Sequence, residues 1–326
     1  MPVDLLPVAE RQDCSFLKKR TKELLILTHG SLKNLEFSCL FPSEKKTVLL
    51  SFGPTRRSVI GLALALPFAA HAAEADDPSA VLAAIRASGV LRAPVMLGEE
   101  PGYVKDHVTG AWSGYYVTFL QSIADDLGVR LQPVETNWGN LAADFQAHKI
   151  DVAIGVNPNP QRALVVDYLS VPIFSDAWAV LMPKGIHAAN WADLNVPEKR
   201  IVVQTGSTMQ IVARALLADA QVTPVADRPT AILELQSGRA DAVLLSIFDA
   251  LDVHAHGIGE VSLPRPILRN PATLCVARQP GNAGFINFLT TWVEQQRSLG
   301  LAQAALAKAW KARGIDLTIL PPDFTF

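Results

Sequence analysis

The stretch His148-Lys149-Ile150-Asp151-Val152-Ala153-Ile154-Gly155-Val156-Asn157-Pro158-Asn159-Pro160-Gln161-Arg162 joins an apolar run to a segment that cannot extend it. Ile150–Gly155 reads as a buried strand, because its apolar residues are continuous rather than alternating. Asn157 to Pro160 stops the strand: the prolines remove backbone donors and the asparagines favour turns. Arg162 therefore falls on a loop past the strand's carboxyl end. Open α/β sheets bind their ligands at that edge.

On the amino-terminal side the pattern repeats. Ser79–Ser88 is expected to be a helix closed by Gly89, and Val90–Leu97 a strand. Tyr116–Leu127 has apolar residues three and four apart and Gly128 behind it, a helix with its C-cap. Val129–Glu135 reads as a strand and Leu141–Ala147 as a short helix. Strands that alternate with helices imply parallel pairing with helices on the sheet faces.

A second unit of the same kind starts near Gly185. Arg200–Gln204, Thr223–Ala226 and Ala240–Leu245 read as strands, and Met209–Asp219 and Thr230–Ser237 as helices. Leu274–Ala277 is a further strand, and two amphipathic helices, Ala283–Leu299 and Leu301–Arg313, close the chain.

The first 72 residues are set apart. Arg56-Arg57 precede an uncharged run, and Val59–Ala70 has the length of a signal-peptide core, too short to span a bilayer. Ala70-His71-Ala72 has the small-x-small form of a cleavage site. Residues 51–72 are therefore expected to be an export signal, of either the general or the twin-arginine type. Residues 1–50 carry mixed charge and no period. They read as a disordered extension, or as sequence upstream of a true start near Val48 or Leu49. A periplasmic location follows from this reading. No cysteine stands at the cleavage point, so a lipid anchor is not expected.

The chain has 326 residues, 29 Lys+Arg against 31 Asp+Glu, and 49% apolar residues. It is long enough for about two domains and too apolar to be disordered. A net charge of −2 lacks the basic footprint of a nucleic-acid binder. Beyond the export signal only Cys275 remains, which excludes an internal disulfide. The histidines, His254 and His256 included, form no tight ligand set, and no metal or cofactor is expected.

Several pieces stand in a familiar order. They are Gly89-Val90-Leu91-Arg92, Gly110-Ala111-Trp112-Ser113-Gly114-Tyr115, Asn137-Trp138-Gly139-Asn140-Leu141 and His148-Lys149-Ile150-Asp151-Val152. Asn157-Pro158-Asn159-Pro160-Gln161-Arg162 follows, similar to a Thr-x-Thr-Pro-Glu-Arg motif, then Val203-Gln204-Thr205-Gly206-Ser207-Thr208 and Ser237-Gly238-Arg239-Ala240-Asp241-Ala242-Val243. From about Ser88 to Arg313 the sequence resembles the periplasmic solute-binding proteins of family 3, the polar amino acid ABC transporter type. The resemblance implies an α/β, two-lobed, type II clamshell, each lobe a mostly parallel sheet flanked by helices. Lobe one would comprise 79–181 plus 275–326 and lobe two 186–266, with hinges near 181–185 and 267–274. It implies a monomer that binds a small solute and delivers it to a membrane permease.

The chemistry of the candidate site can be argued from the residues. A carboxylate fits the two parallel N–H groups of Arg162. Ser207 and Thr208 stand between a strand and a helix, where free N–H groups and the helix dipole favour an anion; capping by the same hydroxyls is compatible with this. Asn157 can offer an amide, or serve the turn before Pro158. Gly155 offers backbone groups, and Trp138 and Tyr103 are candidate walls. By the resemblance, Ser246 falls where an acid would meet the ligand's ammonium. Serine supplies no charge. Either Asp249, Glu99 or Glu100 takes that part, or the ligand has no free ammonium.

A binding protein is the leading expectation, with no catalytic residues. The alternatives are an exported enzyme on the same fold, of the cyclohexadienyl dehydratase kind, or a partner of a periplasmic dehydrogenase. Glu99, Glu100 and His107 are the residues available for acid–base work.

Overall fold

A computed structural model describes residues 77–320. The extension expected over 1–50 and the export signal expected over 51–72 lie outside the described residues. The elements run α1 (Ala80–Ser88), β1 (Val90–Met96), β2 (Val104–Lys105), β3 (Trp112–Ser113), α2 (Tyr115–Leu127), β4 (Arg130–Thr136), α3 (Leu141–Gln146) and β5 (Val152–Val156). There follow β6 (Val166–Tyr168), β7 (Phe174–Met182), β8 (Arg200–Gln204), α4 (Thr208–Leu216), β9 (Gln221–Val225), α5 (Arg228–Gln236) and β10 (Ala242–Ser246). The chain continues through α6 (Ile247–Ala255), β11 (Glu260–Ser262), β12 (Arg269–Ala277), α7 (Ala283–Ser298) and α8 (Leu301–Ala312).

Local signals account for most of these. α2 buries Tyr116, Phe119, Leu120, Ile123, Ala124 and Leu127 along one face. It ends where Gly128 turns left-handed and donates its N–H to the Ala124 and Asp125 carbonyls. α5 starts on Asp227, whose carboxylate accepts the Thr230 N–H at 2.8 Å.

β1 pairs with β4 in parallel, and β8 lies between β9 and β10 in parallel. β1 and β4 form a sheet of their own, whereas the β8 group is joined to β5 by strands of opposite sense. β7 runs antiparallel to β10 and to β12, and β12 antiparallel to β5. The result is a continuous order β5-β12-β7-β10-β8-β9. This is the mixed α/β architecture of a type II binding protein. The sheets are less purely parallel than the sequence suggests, because the segments that cross between β5 and the β8 group are themselves strands.

The register locates the two crossings. Residues 174–177 of β7 pair with 269–272 of β12, whereas 178–181 already pair with β10. β7 thus passes from β12 to β10 near 177–178, upstream of the segment 181–185. The sequence reading left 170–182 without an element, since the strand is apolar on both faces and shows no alternation. The second crossing is the strand β12 itself, which begins five residues before the expected Leu274.

Two cores result. The larger gathers β1, α2, β5, α7 and α8, with Tyr115, Phe119, Trp292 and Trp310 at its centre. The smaller gathers Trp178, Val180, Trp191, Ile201, Val203, Leu217 and Leu244 around β8 and β10. α6, a helix that the sequence reading missed, ties to the C-terminal helix. Phe248 stacks on Trp310 with centroids 4.3 Å apart, and Arg313 pairs with Asp252.

Candidate ligand-binding site

Gly139 and Gly206 bring the loop before α3 against the loop before α4. Gly206 has φ +75°, and a Cβ there would lie 2.6 Å from the Gly139 Cα. Only glycine allows the two backbones to meet so closely. Beneath this contact lies a cavity of about 40 Å³. It is lined by Gly155, Asn157 and Arg162 behind β5, by Ser207, Thr208 and Met209 at the start of α4, and by Ser246 and Asp249 at the start of α6. Glu99, Tyr115, Tyr116, Trp138 and Asp176 complete the lining.

Seven of the eight residues singled out from sequence therefore meet in one cavity: Arg162, Asn157, Gly155, Ser207, Thr208, Ser246 and Trp138. Tyr103 does not. It is fully buried behind the wall, its ring 5.1 Å from that of Tyr116. Tyr116 stands where Tyr103 was expected, and Gly155 makes room for it. With φ +71° at Gly155, a Cβ there would fall 2.1 Å from the Tyr116 hydroxyl.

Arg162 is 6% exposed. Asn159 fixes its backbone by accepting the Arg162 N–H at 2.8 Å. Its guanidinium donates to the Gly206 carbonyl at 3.1 Å and reaches the Asn157 carbonyl at 3.5 Å. The Trp138 ring lies 6.0 Å away. Among the described residues no carboxylate pairs with it, so a buried cation faces the cavity with donors to spare. The start of α4 adds to this. Ser207 turns its hydroxyl away from the helix and donates to the Gln204 carbonyl at 2.6 Å, leaving α4 without a side-chain cap. Capping by Ser207 is thus not used, and the first-turn N–H groups and the helix dipole remain for an anion. The Asn157 amide donates to the Pro271 carbonyl at 3.2 Å, which ties the loop to β12.

Acids occupy the rest of the cavity. Glu99 accepts the Gln204 amide at 2.9 Å and an indole N–H from Trp138. Burial raises its pKa, against the pull of nearby Arg228. Asp249 pairs with Arg228 at 2.7 Å. Asp176, which the sequence reading missed, is 6% exposed, and burial together with the Asp249 charge pushes it up to about 8. The available signal was a lone acid inside the apolar strand Phe174–Met182. Glu100 lies outside the cavity lining, 3.4 Å from Arg228, and His107 is on an exposed loop.

These acids have a consequence for stability. The folded state holds Asp176 and Glu99 protonated at pH values where the unfolded chain, near 3.8 and 4.5, has released them. Stability from them is complete below those unfolded values and is lost as pH rises toward about 8. The ion-paired Glu234 and Asp241 act in the opposite sense, but only below about 4.5. The ligand-free Tm should therefore fall between pH 5 and pH 9. Asp176→Asn should flatten part of that fall; a Tm that rises across the range would contradict the assignment.

Residues 97–209 match the sequence model of the bacterial extracellular solute-binding proteins, family 3. The chain is 28% identical over 166 residues to cyclohexadienyl dehydratase of Pseudomonas aeruginosa, covering 50% of this chain and 61% of that protein's length. It is 25% identical over 210 residues to the L-cystine-binding protein TcyJ of Escherichia coli K12, covering 64% and 77%. The ancestral amino acid-binding protein AncCDT-1, a precursor of cyclohexadienyl dehydratase, superposes with a TM-score of 0.63 at 24% identity, over 72% of this chain and 99% of that one. The cysteine-binding protein of Campylobacter jejuni does so with 0.66 at 20% identity, over 75% and 98%. These two likenesses are of fold. Family-level sequence similarity is carried by the segment 97–209, which matches the model of the bacterial extracellular solute-binding proteins, family 3.

Proposed function

We propose that the chain is an extracytoplasmic receptor for a small amino acid, or a close carboxylate derivative, that it hands to the membrane permease of an ABC transporter. The observation that carries this reading is the charge arrangement of the cavity. A buried guanidinium without a carboxylate partner adjoins the uncapped first turn of α4, and buried acids complete the lining. A zwitterion complements both once one of these acids gives up its proton to receive the ammonium. The amino acid-binding relatives support the solute class, and the apolar run Val59–Ala70 supports export to the periplasm, where a monomer would meet the permease.

A thermal-shift panel of amino acids, N-blocked derivatives and simple organic acids tests the reading. A ligand at 100 times its Kd stabilises by about 2.7 kcal/mol, which such a panel detects readily. Absence of any shift across the panel would refute the receptor.

One observation favours a second reading. Glu99 and Asp176 are carboxyl groups kept protonated near neutral pH inside a cavity, a state suited to general-acid work, and one relative is a dehydratase. The substrates of such an enzyme would be cyclohexadienyl acids such as prephenate or arogenate. Turnover of either compound would establish the enzyme, and its absence would remove it.

A further inference from the structure

Asp176 is an acid in a strand that is otherwise apolar apart from Ser175. Three donors hold its carboxyl in place. The Ala177 N–H donates at 2.7 Å, and the Ile247 N–H and the Ser246 hydroxyl also donate to it. Strand register explains the grouping, since Ser246 of β10 lies opposite Trp178 of β7, two residues beyond Asp176. The Ser246 hydroxyl also accepts the Asp249 N–H at 3.2 Å.

The three acids of the cavity are not equivalent. Asp249 is neutralised by Arg228 at 2.7 Å. Glu99 is bonded to Gln204 at 2.9 Å and lies within the field of the same arginine. Asp176 differs: its strongest influences are burial, the Asp249 charge and its own three donors, with no arginine among them. The groups facing it are Asp249 from α6, Tyr115 and Tyr116 from α2, Ser246 from β10 and Asn270 across the strand pair in β12. Both tyrosines are held neutral by burial, so none of these supplies a positive charge. Protonation keeps the Asp176 carboxyl neutral near pH 7; its ionised form in such a place calls for a cation from outside the chain.

We infer that Asp176 is the residue that selects for a free ammonium group, receiving it from an α-amino acid whose carboxylate lies on Arg162. This rests on the receptor reading above and narrows it to small zwitterionic α-amino acids, as opposed to des-amino acids. The specificity then lies on the strand that crosses between the sheets, next to Ser246 and not on it. At neutral pH the carboxyl gives up its proton to solvent as the ammonium arrives.

The test uses the full chain with glycine, L-alanine and L-serine as probes, and acetate, propionate and 3-hydroxypropionate as their des-amino counterparts. Wild type should bind at least one amino acid and discriminate against its counterpart. Asp176→Asn, which resembles the protonated acid in shape, should weaken amino acid binding about 100-fold while leaving the counterpart within threefold. Moving the charge by one strand, in the double variant Asp176→Asn/Ser246→Asp, should recover at least tenfold of the loss, which a purely structural role would not do. Amino acid affinity unchanged in Asp176→Asn, or a loss that the relocated acid does not repair, overturns the assignment of Asp176 and leaves the receptor standing. A wild type that binds neither set overturns both.

Discussion

Arg162→Ala should weaken ligand binding by about 2–5 kcal/mol, a loss of thirtyfold to several thousandfold. The guanidinium is almost fully buried, carries two carbonyl contacts and has no carboxylate partner among the described residues. Removing it would leave the ligand's carboxylate desolvated with only helix N–H groups to meet it. Part of the loss would come from the cleft itself, since the same side chain reaches the Gly206 carbonyl at 3.1 Å. Arg162→Lys separates the two contributions. It keeps the charge but loses the planar fork, so an intermediate loss is expected. Calorimetric titration with the ligand found in the panel measures all three proteins, and alanine binding within threefold of wild type would refute the role.

The largest effect on stability is expected at Arg228. It is 4% exposed, pairs with Asp249 at 2.7 Å and donates to the Gly98 carbonyl at 2.6 Å. Arg228→Met keeps much of the volume and strands the carboxylate. Breaking a buried pair in this way costs about 3–5 kcal/mol, a drop in Tm on the order of 10 °C. The double variant Arg228→Met/Asp249→Asn removes both charges and should recover most of it. Asp249 has a raised pKa from burial, so the single variant should suffer less at pH 5 than at pH 8, where its carboxyl cannot stay protonated as easily. Equal losses in the single and double variants would show that packing, and not the pair, is responsible.

Much of this architecture was legible where a residue's neighbours are close in sequence. Arg200–Gln204 and the run to Leu127 closed by Gly128 depend on local pattern and local turn chemistry, and both stand where expected. Arg162 could be placed because the strand and the proline turn before it fix its edge of the sheet. The failures share a different cause. β7 is buried on both faces, so no alternation announces it. α6 has apolar residues nearly all round, because it packs both on β7 and on Trp310. Asp176 owes its place to donors at 246 and 247, some seventy residues away. Tyr103 and Tyr116 differ by a choice that only the Gly155 contact decides. The missing acid at Ser246 was visible from sequence; its replacement on the adjacent strand was not, since strand order is a tertiary fact.

The paired crossing of β7 and β12 has a mechanical meaning. Both passages are strands, hydrogen-bonded to each other at the crossing. Such a joint has no pin and no slack loop. Any bend there must be shared over several peptide units, and the ladder between the strands opposes sideways slip. Asp176 is set within that paired segment, so the cavity wall and the crossing share one strand.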